Sequence, residues 1–478
     1  MTARTPRSSS PRTLVALAAA VVLSLTSASA STAAAPQAAA PAAERLTGTL
    51  PDGAAWIADV PENWNGTLVV FSHGFGVTVP QNAPREAVRL RLLEEGYALT
   101  GSSYDVSETL WALESAERDQ VATIAAVTER IGEPTRTLSV GQSMGGLVNA
   151  RLARSGAGGI DGALGLCGLV AGANDLHTYQ LDAEYTIARL LLPGTPVKLV
   201  DFASEAEGAA TGRQLTDAVV AAQKTPEGRA RIALAAAYLN LPAWSPGKDR
   251  PGAGDWAEQQ AQQYEWLAQG ILTRVEPARY HVEKALGGNN SGNKGVDYAR
   301  VLSTSQHAPL VKALYKKAGL DLRADLRNLT ANATVTADPA AVAAGERTSS
   351  AGQGLAVPLL DVHTVADDLV PVEQESRFAT RVRASGDAPP PAPGLCRTAG
   401  PLHLHHRRDR RRPPRPGVPP RLRPLGRLRD PGRPPDRRAR PRPRRRGVRP
   451  VPPGRADHRA PPVRRLGGAR FRLGRGQT

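Results

Sequence analysis

The sequence predicts an α/β fold, a mostly parallel sheet with helices on both faces, carrying a helical insertion. A C-terminal segment stands apart from it. Three observations lead there. Short apolar runs alternate with amphipathic stretches between residues 67 and 170, the pattern of β-α units around a parallel sheet. Residues 172–350 lose that rhythm and read as helices rich in Ala, Leu and Gln. Residues 396–478 hold 27 Arg, 17 Pro, no Lys and four acids (Asp409, Asp430, Asp436 and Asp457).

The elements follow in order. Residues 67–71 (TLVVF) are a β-branched and aromatic strand ending at Ser72-His73-Gly74. Residues 86–95 read as helix and 97–101 as strand. Residues 108–131 read as one long amphipathic helix, with Leu110, Leu113, Val121, Ile124 and Val127 at helical spacing. Residues 137–140 form a strand, 147–153 a helix and 163–170 another apolar strand. Within the insertion, 186–192, 229–239, 255–272 and 308–317 read as helices, and residues 357–363 (VPLLDVH) resume the sheet. Trp244, Trp256, Tyr264, Trp266, Tyr280 and Tyr298 gather in the insertion of a chain that is only 4% aromatic. They suit either a core of its own or the lining of a pocket.

Composition excludes several classes. A chain of 478 residues, 41% hydrophobic, can bury a large core, and two Cys cannot make a disulfide scaffold. The net charge of +17 suggests a nucleic-acid binder, but outside 396–478 the chain carries 34 basic and 40 acidic residues. The body is mildly acidic, so no dedicated nucleic-acid partner is expected. Residues 1–30 read as an export signal. Arg4, Arg7 and Arg12 precede a twelve-residue apolar run, and Ala28-Ser29-Ala30 is a small-x-small cleavage site. That run reaches about 18 Å as a helix, short of a hydrocarbon core of about 30 Å. A secreted protein with no stable membrane anchor is expected, cleaved near Ala30. Residues 31–43 would be an Ala/Pro linker, 44–171 and 351–388 the two parts of the core, 172–350 the cap insertion and 389–478 the tail.

The chemistry concentrates in three places. Gly141-Gln142-Ser143-Met144-Gly145 matches G-x-S-x-G between a strand and a helix. The glycines permit a sharp turn that lifts the Ser143 hydroxyl to the sheet edge, and the helix N-terminus favours developing negative charge. Ser143 is the expected nucleophile. His73-Gly74-Phe75 follows an earlier strand. Acyl transfer needs two N–H groups aimed at the oxyanion, expected from Met144 and Phe75, with His73 holding the loop. Asp367 follows the strand at 357–363 and suits an acid that orients an imidazole, with Asp368 as the substitute. Cys167 reads as a small buried hydrophobe.

These motifs, Ser72 to Phe75, Gly141 to Gly146 and Ala366 to Pro371, come in the order of the α/β-hydrolase superfamily, which the chain resembles over residues 44–388. The resemblance implies a Ser-His-Asp triad with the His last in the chain, no metal and no organic cofactor. The superfamily includes esterases, lipases and peptidases, so fold alone does not give the substrate; a small-molecule ester or amide is expected, with a carboxylic ester ahead of a peptide or amide. A different class of reading is a catalytically dead pseudo-hydrolase with a polycationic tail.

The resemblance fails where the base should be. After residue 388 no apolar strand ends in Gly-His. Three explanations compete: a disordered Arg/Pro-rich tail that binds anions, a tail that supplies His403, His405 or His406, and a slipped reading frame in a GC-rich gene. The codons favour the slip. Arg codons of the CGN type, read one base later, give Gly, Ala, Val, Asp or Glu. The codons for residues 401–406 (PLHLHH) permit His-Cys-Thr-Phe-Thr-Thr in that frame, and Gly400 can supply a preceding Gly. Cys396 falls in the suspect frame, so no Cys167–Cys396 disulfide is inferred. Sequencing the coding DNA across codons 385–405 is expected to show one base gained or lost near the codons of Pro389 to Pro391. An intact frame there would remove this explanation.

Overall fold

The computed structural model describes residues 42–386 and the backbone of one more strand at 394–399. The expected export signal, most of the expected linker, the suspected slip point, the side chain of Cys396 and the base candidates His403, His405 and His406 lie outside the described residues.

In chain order the first half comprises β1 (Ala43–Thr49), β2 (Ala55–Pro61), β3 (Thr67–Ser72), α1 (Glu86–Glu94), β4 (Ala98–Ser102), α2 (Ala116–Ile131), β5 (Arg136–Gln142), α3 (Met144–Ser155) and β6 (Gly162–Leu166). Nine helices follow before the sheet resumes: α4 (Ala173–Leu191), α5 (Glu205–Ala222), α6 (Pro226–Tyr238), α7 (Trp256–Ala268), α8 (Ile271–Leu286), α9 (Tyr298–Thr304), α10 (Ala308–Ala318), α11 (Leu322–Asn332) and α12 (Pro339–Thr348). The chain closes with β7 (Leu359–Ala366), α13 (Glu373–Ala384) and β8 (Gly394–Ala399).

These strands form one eight-stranded sheet in the order β1-β2-β4-β3-β5-β6-β7-β8. The β1–β2 and β2–β4 pairs are antiparallel, and every pair from β4 to β8 is parallel. Every residue of β3 is buried, as expected for a central strand covered on both faces. The strand order reverses between β3 and β5, and the loops leaving their C-terminal ends open a crevice there.

The structure departs from the sequence reading at several elements. The β1–β2 hairpin was not expected, and β1 takes in Ala43, the last residue assigned to the linker. The long helix begins only at Ala116. Tertiary bonds hold the segment before it away from helix: Thr109 Oγ1 donates to the His281 carbonyl at 2.8 Å and Trp111 Nε1 to Ser349 Oγ at 2.9 Å. The helix expected over 255–272 is two helices, divided at Gly270, which has φ +90° and so takes a conformation that glycine alone adopts freely. The sheet does not end with β7. The backbone of β8, which the sequence reading left in the tail, pairs parallel with β7 and so satisfies donors and acceptors that a bare edge would leave open.

The nine helices between β6 and β7 have their own apolar core, including Leu181, Ile187, Leu215, Ile232, Leu234 and Val311. Each fully buried side chain of this kind contributes about 1.5–3 kcal/mol. Tyr298 belongs to it, 5.6 Å from the Tyr185 ring and 5.2 Å from Tyr238, with its hydroxyl donating to Asp182 at 2.8 Å. Trp266 is buried and donates to the Trp244 carbonyl at 3.1 Å. Helices α5 and α8 touch backbone to backbone. A Cβ at Gly208 or Gly212 would sit 2.5 Å from the carbonyl oxygens of Glu276 and Leu272 respectively. Among the described residues, no helix is long and apolar enough to cross a membrane.

One buried cation serves three carboxylates in this layer. The Arg279 guanidinium lies 3.2 Å from Glu184, 3.7 Å from Glu283 and 3.8 Å from Glu276. Burial raises all three carboxyl groups above their ordinary range, Glu283 to about 7, and Arg279 only partly offsets this. His177, whose carbonyl accepts from Arg279, is held neutral by burial and by that cation. A carboxyl with a raised folded-state pKa stabilises fully below its unfolded value of about 4.3 and loses that contribution as pH rises through the folded value. The urea midpoint is therefore expected to fall between pH 5 and 8, and Glu276→Gln should flatten the fall. A midpoint that rises over this range, or an unchanged slope in the variant, would contradict the shared-charge account.

Candidate active site

The site begins with the turn out of β5. Ser143 has φ 58° and ψ −123°, a conformation L-residues rarely adopt and that costs about 1–3 kcal/mol. Three backbone bonds hold it there. Its N–H donates to the Leu166 carbonyl at 3.0 Å, and its carbonyl accepts from Gly146 at 2.9 Å and Leu169 at 3.1 Å. The turn closes only because its glycines lack Cβ. At Gly141 a Cβ would overlap the Gly145 carbonyl, at Gly145 it would overlap the Ser72 carbonyl, and at Gly146 it would lie 2.5 Å from the Gly168 Cα. The Ser143 side chain makes no capping bond, and Ser143 is half-buried above the N-terminus of α3.

The loop after β3 lies against it. A Cβ on Gly74 would lie 3.4 Å from Ser143 Cβ and 3.8 Å from its Oγ. His73 is buried and stacks on Tyr104 at 4.0 Å. Its Nδ1–H donates to the Gly74 carbonyl at 2.8 Å, and its own carbonyl accepts from the Tyr104 hydroxyl at 3.3 Å. Burial lowers its pKa, so it is a neutral strut for the loop. The N–H groups of Phe75 and Met144 have no acceptor among the described residues; that of Met144, at the first helical position, has none within the helix either.

The acid turn leaves β7 two strands away. Asp367 is buried, and its Oδ1 accepts the N–H groups of Leu369 at 3.0 Å and Val370 at 2.8 Å. Burial raises its carboxyl above the usual range, while those two bonds, His363 and Cys167 oppose the shift. Asp368 points elsewhere: its Oδ2 accepts from Arg274 of α8 at 2.9 Å. The structure thus separates the two candidates, one held in the turn and one tied to the cap.

His363 supports the turn from below. Its Nε2–H donates to the Val370 carbonyl and its Nδ1 pairs with Glu375, both at 2.8 Å. Burial alone would lower its pKa, but the Glu375 carboxylate outweighs that and raises it. Cys167, at φ 49°, accepts the Thr364 N–H on Sγ at 3.4 Å. Donor atoms of Cys167, His363 and Asp367 lie within 4.8 Å of one another. Both imidazole nitrogens are already used in hydrogen bonds, so the trio braces the acid turn and offers no imidazole lone pair to an ion. β8 runs parallel to β7, and its last residue, Ala399, therefore lies toward the sheet edge that carries Ser143 and Asp367.

The fold is the mostly parallel sheet with flanking helices that the sequence predicts. No family model matches the chain. It is similar to an o-phthalyl amidase of Xanthobacter agilis, 27% identical over 354 residues, covering 68% of this chain and 76% of the relative. Among solved structures it is similar to an acylaminoacyl peptidase of Pyrococcus horikoshii (10% identity, TM-score 0.34, 76% of this chain). It spans only 38% of that peptidase. It is also similar to the esterase RhEst1 of Rhodococcus sp. ECU1013 (15% identity, TM-score 0.32, 75% of this chain and 92% of the esterase). A third is the cell-wall-degrading esterase LipA of Xanthomonas oryzae (12% identity, TM-score 0.32, 74% and 81%).

The contacts that join cap to core were not legible in the sequence. Arg274 reaches Asp368, the Tyr179 hydroxyl donates to the Leu369 carbonyl at 3.3 Å, and Leu110 N–H donates to His281 Nδ1 at 3.4 Å. Tyr179, Arg274 and His281 are isolated polar residues on helices, without motif or spacing. His363 was read only as the last residue of a strand. Gly145→Ala is expected to destabilise the fold by about 3 kcal/mol or more, since backbone must move to admit the methyl group. Gly252→Ala, where no atom lies within 4 Å of the added Cβ, should stay within about 0.5 kcal/mol. Denaturant midpoints check both, and equal effects would refute the steric account of the turn.

Proposed function

We propose that the chain is an exported serine hydrolase that cleaves a small carboxylic ester or amide through an acyl-enzyme on Ser143. The observation that carries this reading is the Ser143 turn itself. A strained serine stands where a Cβ on Gly74 would meet it, and the N–H groups of the residues that follow each, Met144 and Phe75, have no acceptor among the described residues. Ser143 Oγ attacks the carbonyl carbon and its proton passes to a base. The carbonyl oxygen becomes an oxyanion held by the two N–H groups. Collapse breaks the bond to the alcohol or amine, which leaves with the proton. Water then repeats the sequence to release the acid and free Ser143. Asp367 orients the base and stabilises its charged form.

Ester hydrolysis is the reading the sequence favoured. The similarity to an amidase, one named for an aromatic acyl group, supports the amide alternative. The base belongs after β8, where the strange composition begins, and we propose that the alternative frame encodes it. A polycationic tail on a non-catalytic body is the competing reading. It predicts salt-sensitive retention on heparin that depends on residues 389–478.

A fluorophosphonate probe tests the proposal. The full chain is expected to label at Ser143 alone, and Ser143→Ala should abolish labelling. The frame-restored chain should label at least about a thousandfold faster, because a missing triad His removes most of the rate. Labelling that survives Ser143→Ala overturns the nucleophile, and equal rates in the two frames overturn the account of the base.

A further inference from the structure

We infer that Tyr179, a residue of the cap, positions the acid of the site: its hydroxyl fixes the peptide unit whose N–H binds Asp367. The inference rests on the hydrolase reading, in which Asp367 is that acid.

Four hydrogen bonds run in one direction toward the carboxylate. The Ala171 N–H, just ahead of α4, donates to Gln374 Oε1 at 3.0 Å. An N–H can only donate, so this bond settles which end of the Gln374 amide is oxygen. The other end, Nε2, donates to Tyr179 Oη at 3.4 Å. The Tyr179 O–H donates in turn to the Leu369 carbonyl at 3.3 Å, and a carbonyl can only accept. That carbonyl belongs to the same planar unit as the Val370 N–H, which donates to Asp367 Oδ1 at 2.8 Å. Holding one end of a rigid plane holds the other. Each bond also polarises the next, so the last donor is strengthened where it meets the carboxylate.

The joint lies where the two layers meet. Tyr179 and Leu369 each pack against both apolar cores, that of the sheet and that of the cap. Gln374 is buried beside them. Burial pushes the Tyr179 hydroxyl above its ordinary range, so it keeps its proton and remains a donor. His363 holds the following peptide unit, at the Val370 carbonyl, so the two side chains act on different planes of the same turn. The titratable groups around the joint are His363, Cys167 and Asp368 near Asp367, and Asp175 of α4 and Glu373 of α13 near Tyr179.

The test titrates the full chain carrying 13C at the Asp side-chain carboxyls, with the Asp367 resonance identified by its loss in Asp367→Asn. Tyr179→Phe keeps the ring and removes the hydroxyl. It is expected to raise the Asp367 midpoint by about half a pH unit, because the charged form loses part of a donor that favours it. Both bonds of the hydroxyl are longer than the ordinary O–H···O distance of about 2.8 Å, so a shift of several units is not expected. Gln374→Met breaks the chain one link earlier and should give a smaller rise. Tyr185→Phe is the control. It removes a cap hydroxyl that donates to the Leu329 carbonyl at 2.9 Å and should lower the melting temperature to a similar degree while leaving the Asp367 midpoint in place. An unmoved midpoint in the two folded variants, or an equal rise in Tyr185→Phe, overturns the inference. A rise confined to the Tyr179 and Gln374 variants, in a chain whose Ser143 does not label with a fluorophosphonate, keeps the joint and removes the hydrolase reading. Labelling at Ser143 with an unmoved midpoint does the reverse.

Discussion

Everything at this site depends on a backbone that passes too close to itself for side chains. Around Ser143 the chain turns from strand to helix within one residue, and the helix begins against the ends of β3 and β6. Gly141, Gly145 and Gly146 are each in contact with other backbone where a Cβ would go. That packing holds Ser143 at φ 58°. A serine with ordinary dihedrals would relax into the helix or the strand and bury its hydroxyl. The bonds to Leu166, Gly146 and Leu169 offset the strain and tie Ser143 to β6, the strand between it and the turn that carries Asp367.

The same strand connects the rest. Cys167 leaves β6 directly beneath the acid turn, where its sulfur accepts the Thr364 N–H. His363 and Glu375 brace the turn from β7 and α13. Asp367 is thus fixed by backbone donors within its own turn and by groups from three other elements. Such over-determination suits a buried carboxyl, because each fixed dipole lowers the cost of its charge without having to reorganise. Asp368, one residue on, faces the opposite way and ties down the cap through Arg274.

The cap is held to the core by polar contacts and internally by an apolar core and one buried cation. These have different consequences. Apolar burial is indifferent to pH. The arrangement around Arg279 is sensitive to it, because three carboxylates exceed what one guanidinium can neutralise in a medium of low polarity. Because α8 carries Arg279, Arg274 and His281 together, the helix that contacts both Leu110 and Asp368 also carries the buried cation.

The sequence by itself determined what repeats or what has a fixed spacing. The β-α alternation, G-x-S-x-G before a helix, and Asp367 after an apolar strand are short-range patterns set by local sterics, and they were legible residue by residue. The body's mild acidity and the abrupt change of composition after residue 388 were legible too. Tertiary structure decided the rest. The segment before α2 has a helical pattern but is captured by His281 and Ser349, residues far away in the chain. Asp367 and Asp368, adjacent in the chain, take different partners in the fold, and no spacing encodes that. The aromatics of the insertion divided between the cap's own core and the neighbourhood of the oxyanion loop only when α8 was laid across the sheet edge. Contacts between residues distant in sequence leave no period to read. They are fixed by how the layers pack, and at this site they decide which groups meet the substrate.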